Sequence, residues 1–170
     1  MSDQHHSHDA KQVTLAVLTV SSSRTTETDA SGDTIVEALS DTDVSVTHRG
    51  IVDDDEQMIR TEVESVANRE EIDTVVTTGG TGLTPDDVTV EAVRPLLERE
   101  IPGFGEQFRS LSVDEVGAHG LLTRATAGIS DGVPIFCLPG SENAARLGTT
   151  ELIAPTVHHI LGLVQDEGGH

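Results

Sequence analysis

The chain has 170 residues, with 30 acidic against 10 basic side chains and a formal net charge of −20. Such a surface repels nucleic acid and anionic membranes and excludes both as expected partners. Apolar residues make up 35% but aromatics only 2%, with no Trp or Tyr, so the core has to be built from Val, Ile, Leu and Ala.

Length sets one domain as the expectation, over residues 12–168, behind a polar tail at 1–11 expected to be disordered. No apolar run approaches the ~20 residues that span a bilayer. The start, MSDQHHSHDAKQ, lacks the apolar segment of a signal peptide. Cys137 is the single cysteine and forms no internal disulfide. Together these features predict a cytoplasmic protein. The acids are spread along the chain and not gathered in a tail, which predicts adaptation to a high-salt cytosol.

Val13–Val20 (VTLAVLTV) is a nearly continuous β-branched apolar run, the pattern of a strand covered on both faces. After the polar loop SSSRTTETDASG, the segment SGDTIVEALSD reads as a helix capped by Ser31 or Asp33. Val44–Val52 reads as a strand. DDDEQMIRTEVESVANREE reads as a helix with acids in its first turn and Met58, Ile59, Val63 and Val66 on one face. Ile72–Thr78 is a third buried strand. VTVEAVRPLLERE is a helix that Pro95 should kink, and IPGFGEQFRSLSVDEVG reads as short helical pieces. Ala125–Ser130 and Val133–Leu138 form a hairpin about Asp131-Gly132. A last helix, TELIAPTVHHILGLVQDE, is interrupted at Pro155. The order predicts an α/β fold, a layered domain with a mostly parallel sheet and one antiparallel strand.

Ligands of open α/β sheets bind beyond the carboxyl ends of the strands. Three loops in such places are rich in Gly, Ser and Thr. The loop after the third strand, VVTTGGTGLTPDDV, holds Gly79, Gly80 and Gly82 with Thr81 between them. It is either a phosphate-binding loop, its glycines removing Cβ atoms from a ligand's path, or a tight strand–helix turn. It matches neither a Walker loop nor GxGxxG. Asp86 and Asp87 admit two readings. Thr84-Pro85-Asp86-Asp87 could form a capping box. Alternatively Thr89 is the cap and Asp87 lies in the loop, facing the ligand. Asp86 is assigned to first-turn decoration of the helix. A carboxylate beside a triphosphate costs roughly 4 kcal/mol per charge pair at ~4 Å and an effective dielectric of ~20. Acids in a phosphate site therefore require a cation, and Mg²⁺ takes one or two carboxylates plus phosphate oxygens.

The loop after the first strand offers Ser21, Ser22, Ser23 and Arg24. The loop Pro139-Gly140-Ser141 is a turn with an N-cap at Ser141 or a second anion cradle. Arg24, Arg109 and Arg124 are candidates for phosphate contact, against the alternative of surface salt bridges. Asp53-Asp54-Asp55-Glu56 either loads a helix N-terminus or supplies a metal ligand. Cys137 is read as inert packing. The histidines of HHSHD bind a metal or belong to a solvated tail or tag remnant, and His158-His159 would bind a metal only with a third ligand from elsewhere.

Four segments in order, LTVSSSR with DASG (18–24 and 29–32), TTGGTGLTPDDVT (77–89), GFGEQFR (103–109) and LPGSENAA (138–145), resemble the MoaB/MogA family of molybdenum cofactor biosynthesis proteins. The unbroken GFGE-x-FR is closer to MoaB. The family often carries Asp or Asn where Ser22 stands. The resemblance implies a three-layer α/β/α sandwich assembling as a homo-oligomer, a trimer or hexamer. It implies a molybdopterin adenylyltransferase using ATP, molybdopterin and Mg²⁺, with Asp54 and Asp87 as the metal-organising, catalytic acids. The substrates would then be held by Ser21, Ser23, Arg24, Gly79, Gly80, Thr81, Gly82, Pro139, Gly140 and Ser141. Two alternatives stand beside it. GGTGLTPDDVT is also similar to the loop of CinA-type nucleotide pyrophosphatases, and a non-catalytic pterin-binding or assembly protein could use the same fold.

Overall fold

The computed structural model describes residues 12–165. The expected tail at 1–11, with its HHSHD cluster, and the expected domain end at 168 lie outside them. Six strands form one sheet in the order β2-β1-β3-β6-β5-β4. They are β1 (Val13–Val20), β2 (Val44–Val52), β3 (Thr74–Thr78), β4 (Arg99–Glu100), β5 (Thr126–Ser130) and β6 (Val133–Leu138). β2, β1, β3 and β6 are parallel. β5 runs antiparallel to both β6 and β4 and is therefore the one reversed strand. The two-residue β4 was not anticipated: a stretch that short carries no alternation to detect.

Alternate residues of each strand point to opposite faces, and each face has its own core. Val13, Leu15 and Val17 of β1, with Val76 and Phe136, pack against α1 (Ala30–Leu39), α4 (Pro102–Val116), α5 (Glu142–Gly148) and α6 (Ala154–Gln165). Ala16, Leu18 and Val20, with Val75, Ile135 and Cys137, pack against α2 (Glu56–Ala67) and α3 (Thr89–Val93). The result is the expected three-layer α/β/α sandwich. The nearly continuous apolar run of β1 is explained by burial on both sides.

Several helix boundaries differ from the sequence reading. Helix α1 is capped by Asp29, whose carboxylate accepts the Gly32 N–H at 3.0 Å, not by Ser31 or Asp33. Helix α3 does not kink at Pro95; it stops at Val93 and gives way to a 3₁₀ turn, Arg94–Leu96. Proline supplies no N–H to the carbonyl of Glu91. Arg60 serves that carbonyl through Nη2 at 3.2 Å and the Ala92 carbonyl through Nε at 3.1 Å. Residues 102–116 form one helix of 15 residues, not short pieces. Phe104 and Phe108 lie one turn apart on its buried face, and the Phe104 ring stands 5.3 Å from that of Phe136. This packing overrides the low helix propensity of Gly103 and Gly105. The final helical region begins at Glu142, and its break is a wide π turn at Thr149–Ile153, with Pro155 inside the first turn of α6.

Candidate functional site at the carboxyl edge of the sheet

Because β2, β1, β3 and β6 are parallel, their following loops emerge along one edge. Three of these loops are tied together. The Gly79 N–H donates to the Leu138 carbonyl at 2.9 Å, and the Thr78 hydroxyl donates to the Pro139 carbonyl at 2.9 Å. A Cβ on Gly140 would stand 3.2 Å from the Gly79 Cα. Arg24 reaches across from β1, donating Nη2 to the Gly140 carbonyl at 3.2 Å and Nη1 to the Ser31 hydroxyl at 2.6 Å. It makes no ion pair among the described residues. Ser21 accepts the N–H groups of Ser23 (3.2 Å) and Arg24 (3.1 Å), which folds the start of this loop. Ser22 and Ser23 are exposed. Ser141 is the N-cap of α5, accepting the Ala144 N–H at 3.1 Å, so its cap role is occupied.

The three glycines of the central loop answer first to the protein itself. Gly79 (φ +108°) and Gly80 (φ +76°) hold backbone conformations that side chains disfavour. A Cβ on Gly79 would lie 2.4 Å from the Val20 carbonyl oxygen, and one on Gly82 would lie 2.6 Å from Asp87 Oδ2. These clashes bear out the tight-turn reading for Gly79 and Gly82. What the loop does offer is donors: among the described residues, the N–H groups of Gly80, Thr81 and Gly82 have no acceptor in the protein.

Neither proposed cap for the next helix is used. Helix α3 begins at Thr89 after Val88, without a side-chain cap. Asp87 lies in the loop, and its Oδ2 accepts both the Thr84 N–H (2.9 Å) and the Thr84 hydroxyl (2.8 Å). Its Oδ1 has no hydrogen bond among the described residues. Asp86 is exposed in the turn before the helix, so its assignment to the first helical turn is corrected.

The acids after β2 now separate by role. Asp55 caps α2, accepting the Met58 N–H at 2.9 Å. Asp53 is exposed. Asp54 is half-buried, and its carboxylate has no hydrogen bond or ion pair among the described residues. Asp54 and Asp87 follow different strands, β2 and β3. The strand ends they follow are separated by β1, about 10 Å at two strand spacings. No group of three or more His, Cys, Asp or Glu capable of holding a metal occurs among the described residues, and His158-His159 gains no third ligand. Two carboxylates with free oxygens suit a hard cation that fills its remaining positions with phosphate oxygens and water, which is the chemistry of Mg²⁺.

Arg124 and Arg109 line a cleft beside the loop, but Arg124 is not a free cation. Nε donates to the Gly82 carbonyl at 2.9 Å and Nη2 to the Asp87 carbonyl at 2.8 Å, while Nη1 pairs with Glu91. The Arg124 N–H adds a bond to the Thr81 carbonyl at 2.8 Å. Arg124 thus braces the glycine loop, and its hydrogen bond holds Glu91 below the usual carboxylate range. Sequence reading also assigned no role to Asp29. It is buried and accepts from Thr19 Oγ1 (2.9 Å) and Arg49 Nη2 (3.0 Å) besides Gly32. Burial works to lower the Arg49 pKa, but the carboxylates of Asp29 and Asp33 outweigh it and raise it. The Asp-x-x-Gly spacing at 29–32 was the available signal. Cys137 is fully buried, and desolvation pushes its thiol up to about 11.

A family described as "Probable molybdopterin binding domain" matches residues 16–159. The molybdenum cofactor biosynthesis protein B of Staphylococcus aureus (strain COL) is 46% identical over 154 residues, covering 89% of this chain and 91% of that protein. A crystal structure of a molybdenum cofactor biosynthesis protein B superposes with TM-score 0.89 at 41% identity, covering 92% of this chain and 98% of the other. A MogA structure superposes with TM-score 0.79 at 26% identity, covering 89% of this chain and 99% of the other. The chain belongs to the MoaB/MogA family of molybdenum cofactor biosynthesis proteins, on its MoaB side.

Proposed function

We propose that this molybdenum cofactor biosynthesis protein transfers AMP from ATP to the terminal phosphate of molybdopterin, releasing pyrophosphate, and that it works as a homo-oligomer, a trimer or hexamer. The observation that carries this reading is the run of N–H groups at Gly80, Thr81 and Gly82 without an acceptor among the described residues, on the same sheet edge as the Asp54 carboxylate, also without a partner there.

A phosphate monoester is mostly dianionic at neutral pH, so an oxygen of the pterin phosphate needs no general base to act as nucleophile. It bonds to the α-phosphorus of ATP while the bond from that phosphorus to the bridging oxygen of the β-phosphate breaks. The electron pair leaves on pyrophosphate. The protein's part is positioning and charge stabilisation. The N–H groups of Gly80–Gly82 donate to phosphoryl oxygens. Arg24 and Ser21 hold the first loop in register with Gly140, and Ser23 adds a hydroxyl. Pro139, Gly140 and Ser141 form the opposite rim. Asp54 and the Asp87 Oδ1 are the residues that would hold Mg²⁺, and the ion would supply charge to offset the repulsion between acids and phosphates.

The test is incubation of the full chain with molybdopterin, ATP and Mg²⁺. The expected result is AMP joined to the pterin with one pyrophosphate released per AMP, and neither with Asp54→Ala. Nucleotide cleavage without AMP on the pterin would replace this reading with a CinA-like pyrophosphatase. Pterin binding without pyrophosphate release would replace it with a binding or assembly role.

A further inference from the structure

We propose that the cleft between α3 and α4 is a second anion subsite on this edge, built around Arg109 and taking the phosphate group of a small molecule. The inference goes beyond adenylyl transfer and would stand for a protein that only bound its ligand.

The cleft has a volume of about 470 Å³, the size of a small-molecule site. Its place follows from the reversed strand. Thr126 of β5 pairs with Cys137 of β6, so the start of β5 lies at the edge where the parallel strands end. Thr123 and Arg124 precede it. The Thr123 hydroxyl stands 3.2 Å from that of Thr81, which ties the cleft wall to the glycine loop.

Arg109 lies over Gly105, one helical turn earlier. A Cβ on Gly105 would stand 2.5 Å from the Ala125 carbonyl oxygen and 2.9 Å from both Nη atoms, so the glycine admits both that carbonyl and the guanidinium. Nη1 donates to the Ala125 carbonyl at 3.1 Å, which fixes the plane of the group. Its Nε and Nη2 have no acceptor, and Arg109 forms no ion pair, among the described residues. That edge is the fork that binds phosphate or carboxylate bidentately. In a chain with 30 acids and 10 bases, a half-buried guanidinium left without a carboxylate is contrary to what composition favours. The other two cleft arginines are neutralised, Arg94 by Glu100 at 3.0 Å and Arg124 by Glu91. The Thr126 hydroxyl, also in the lining, has no partner among the described residues. Glu106 is the opposing charge: exposed, on the same helix, and without an ion pair among the described residues.

Calorimetric titration of the full chain with inorganic pyrophosphate, in EDTA and without pterin, tests the subsite apart from any transfer chemistry. Arg109→Lys keeps the charge and loses the fork, and should weaken pyrophosphate about tenfold or more, the effect of one charge-assisted hydrogen bond. Glu106→Gln removes the like charge and should tighten binding severalfold at low ionic strength. A thermal melt checks that each variant folds. If Arg109→Lys does not fold, unchanged affinity in Glu106→Gln overturns the proposal. Wild-type affinity in a folded Arg109→Lys also overturns it. If that variant instead sediments as a smaller assembly with pyrophosphate binding intact, the fork belongs to a carboxylate of a second copy.

Discussion

Gly80 and Thr89 are fitted to each other across the central loop. The Thr89 N–H donates to the Gly80 carbonyl at 3.1 Å, and a Cβ on Gly80 would stand 2.1 Å from the Thr89 hydroxyl oxygen. That hydroxyl donates to the Gly79 carbonyl at 2.8 Å, so one threonine fixes both glycines. Gly80→Ala adds a clash to a positive φ and should cost about 1–3 kcal/mol. Thr89→Val leaves the buried Gly79 carbonyl unserved and should also cost about 1–3 kcal/mol. Urea denaturation measures both; a change under about 0.5 kcal/mol in either would contradict the fit described.

Asp54 and Asp55 are neighbours, and of the two only Asp55 caps α2. Asp55→Ala removes the α2 cap and should lose about 1 kcal/mol of stability, with pyrophosphate release retained. Asp54→Ala should leave the denaturation midpoint near wild type and abolish pyrophosphate release. The paired stability and activity measurements separate the two, and a reversed pattern would assign the ligand role to Asp55.

Arg124→Gln leaves the carbonyls of Gly82 and Asp87 without their donor. The expected outcome is a loss of about tenfold or more in kcat/KM, because misplaced loop donors act on the transition state. Structural bracing predicts partial recovery in Arg124→Lys. The Arg124–Glu91 pair adds a pH signature. Glu91 is held below its ordinary value of 4.5, so the pair's contribution is complete above 4.5 and is lost as pH falls through the lowered folded value. Denaturation midpoints of wild type and Glu91→Gln should differ at neutral pH and converge in acid.

The Cys137 thiol is buried and raised to about 11. Native protein at pH 8 should therefore not react with a thiol reagent such as dithiobisnitrobenzoate, and should release one equivalent of chromophore once unfolded in guanidinium. Rapid labelling of the native protein would show that the β6 core opens.

A net charge of −20 should make the fold stabilise with salt as self-repulsion is screened. Thermal melting from low to molar KCl should show a rising midpoint. A flat series would remove the high-salt explanation for the acidic surface.

The sequence by itself determined the layers, most of the strands and the loops that meet at one edge. Val13–Val20 can be buried only on both faces, and β-α alternation of this kind closes into a parallel sheet. It also determined the family, because four motifs in order are far more specific than any one. Tertiary structure decided how the polar residues are used. Asp54, Asp55 and Asp87 are the same chemical group, and only neighbours distinguish a cap, a loop tie and a carboxylate without a partner among the described residues. The glycines read as either ligand clearance or a tight turn, and the structure shows that Val20, Thr89 and Asp87 are what a Cβ would strike. Arg109 and Arg124 look alike in sequence. The reversed strand carries Arg124 onto the glycine loop and leaves half of the Arg109 fork open, because which acceptors a guanidinium reaches depends on segments distant in the chain.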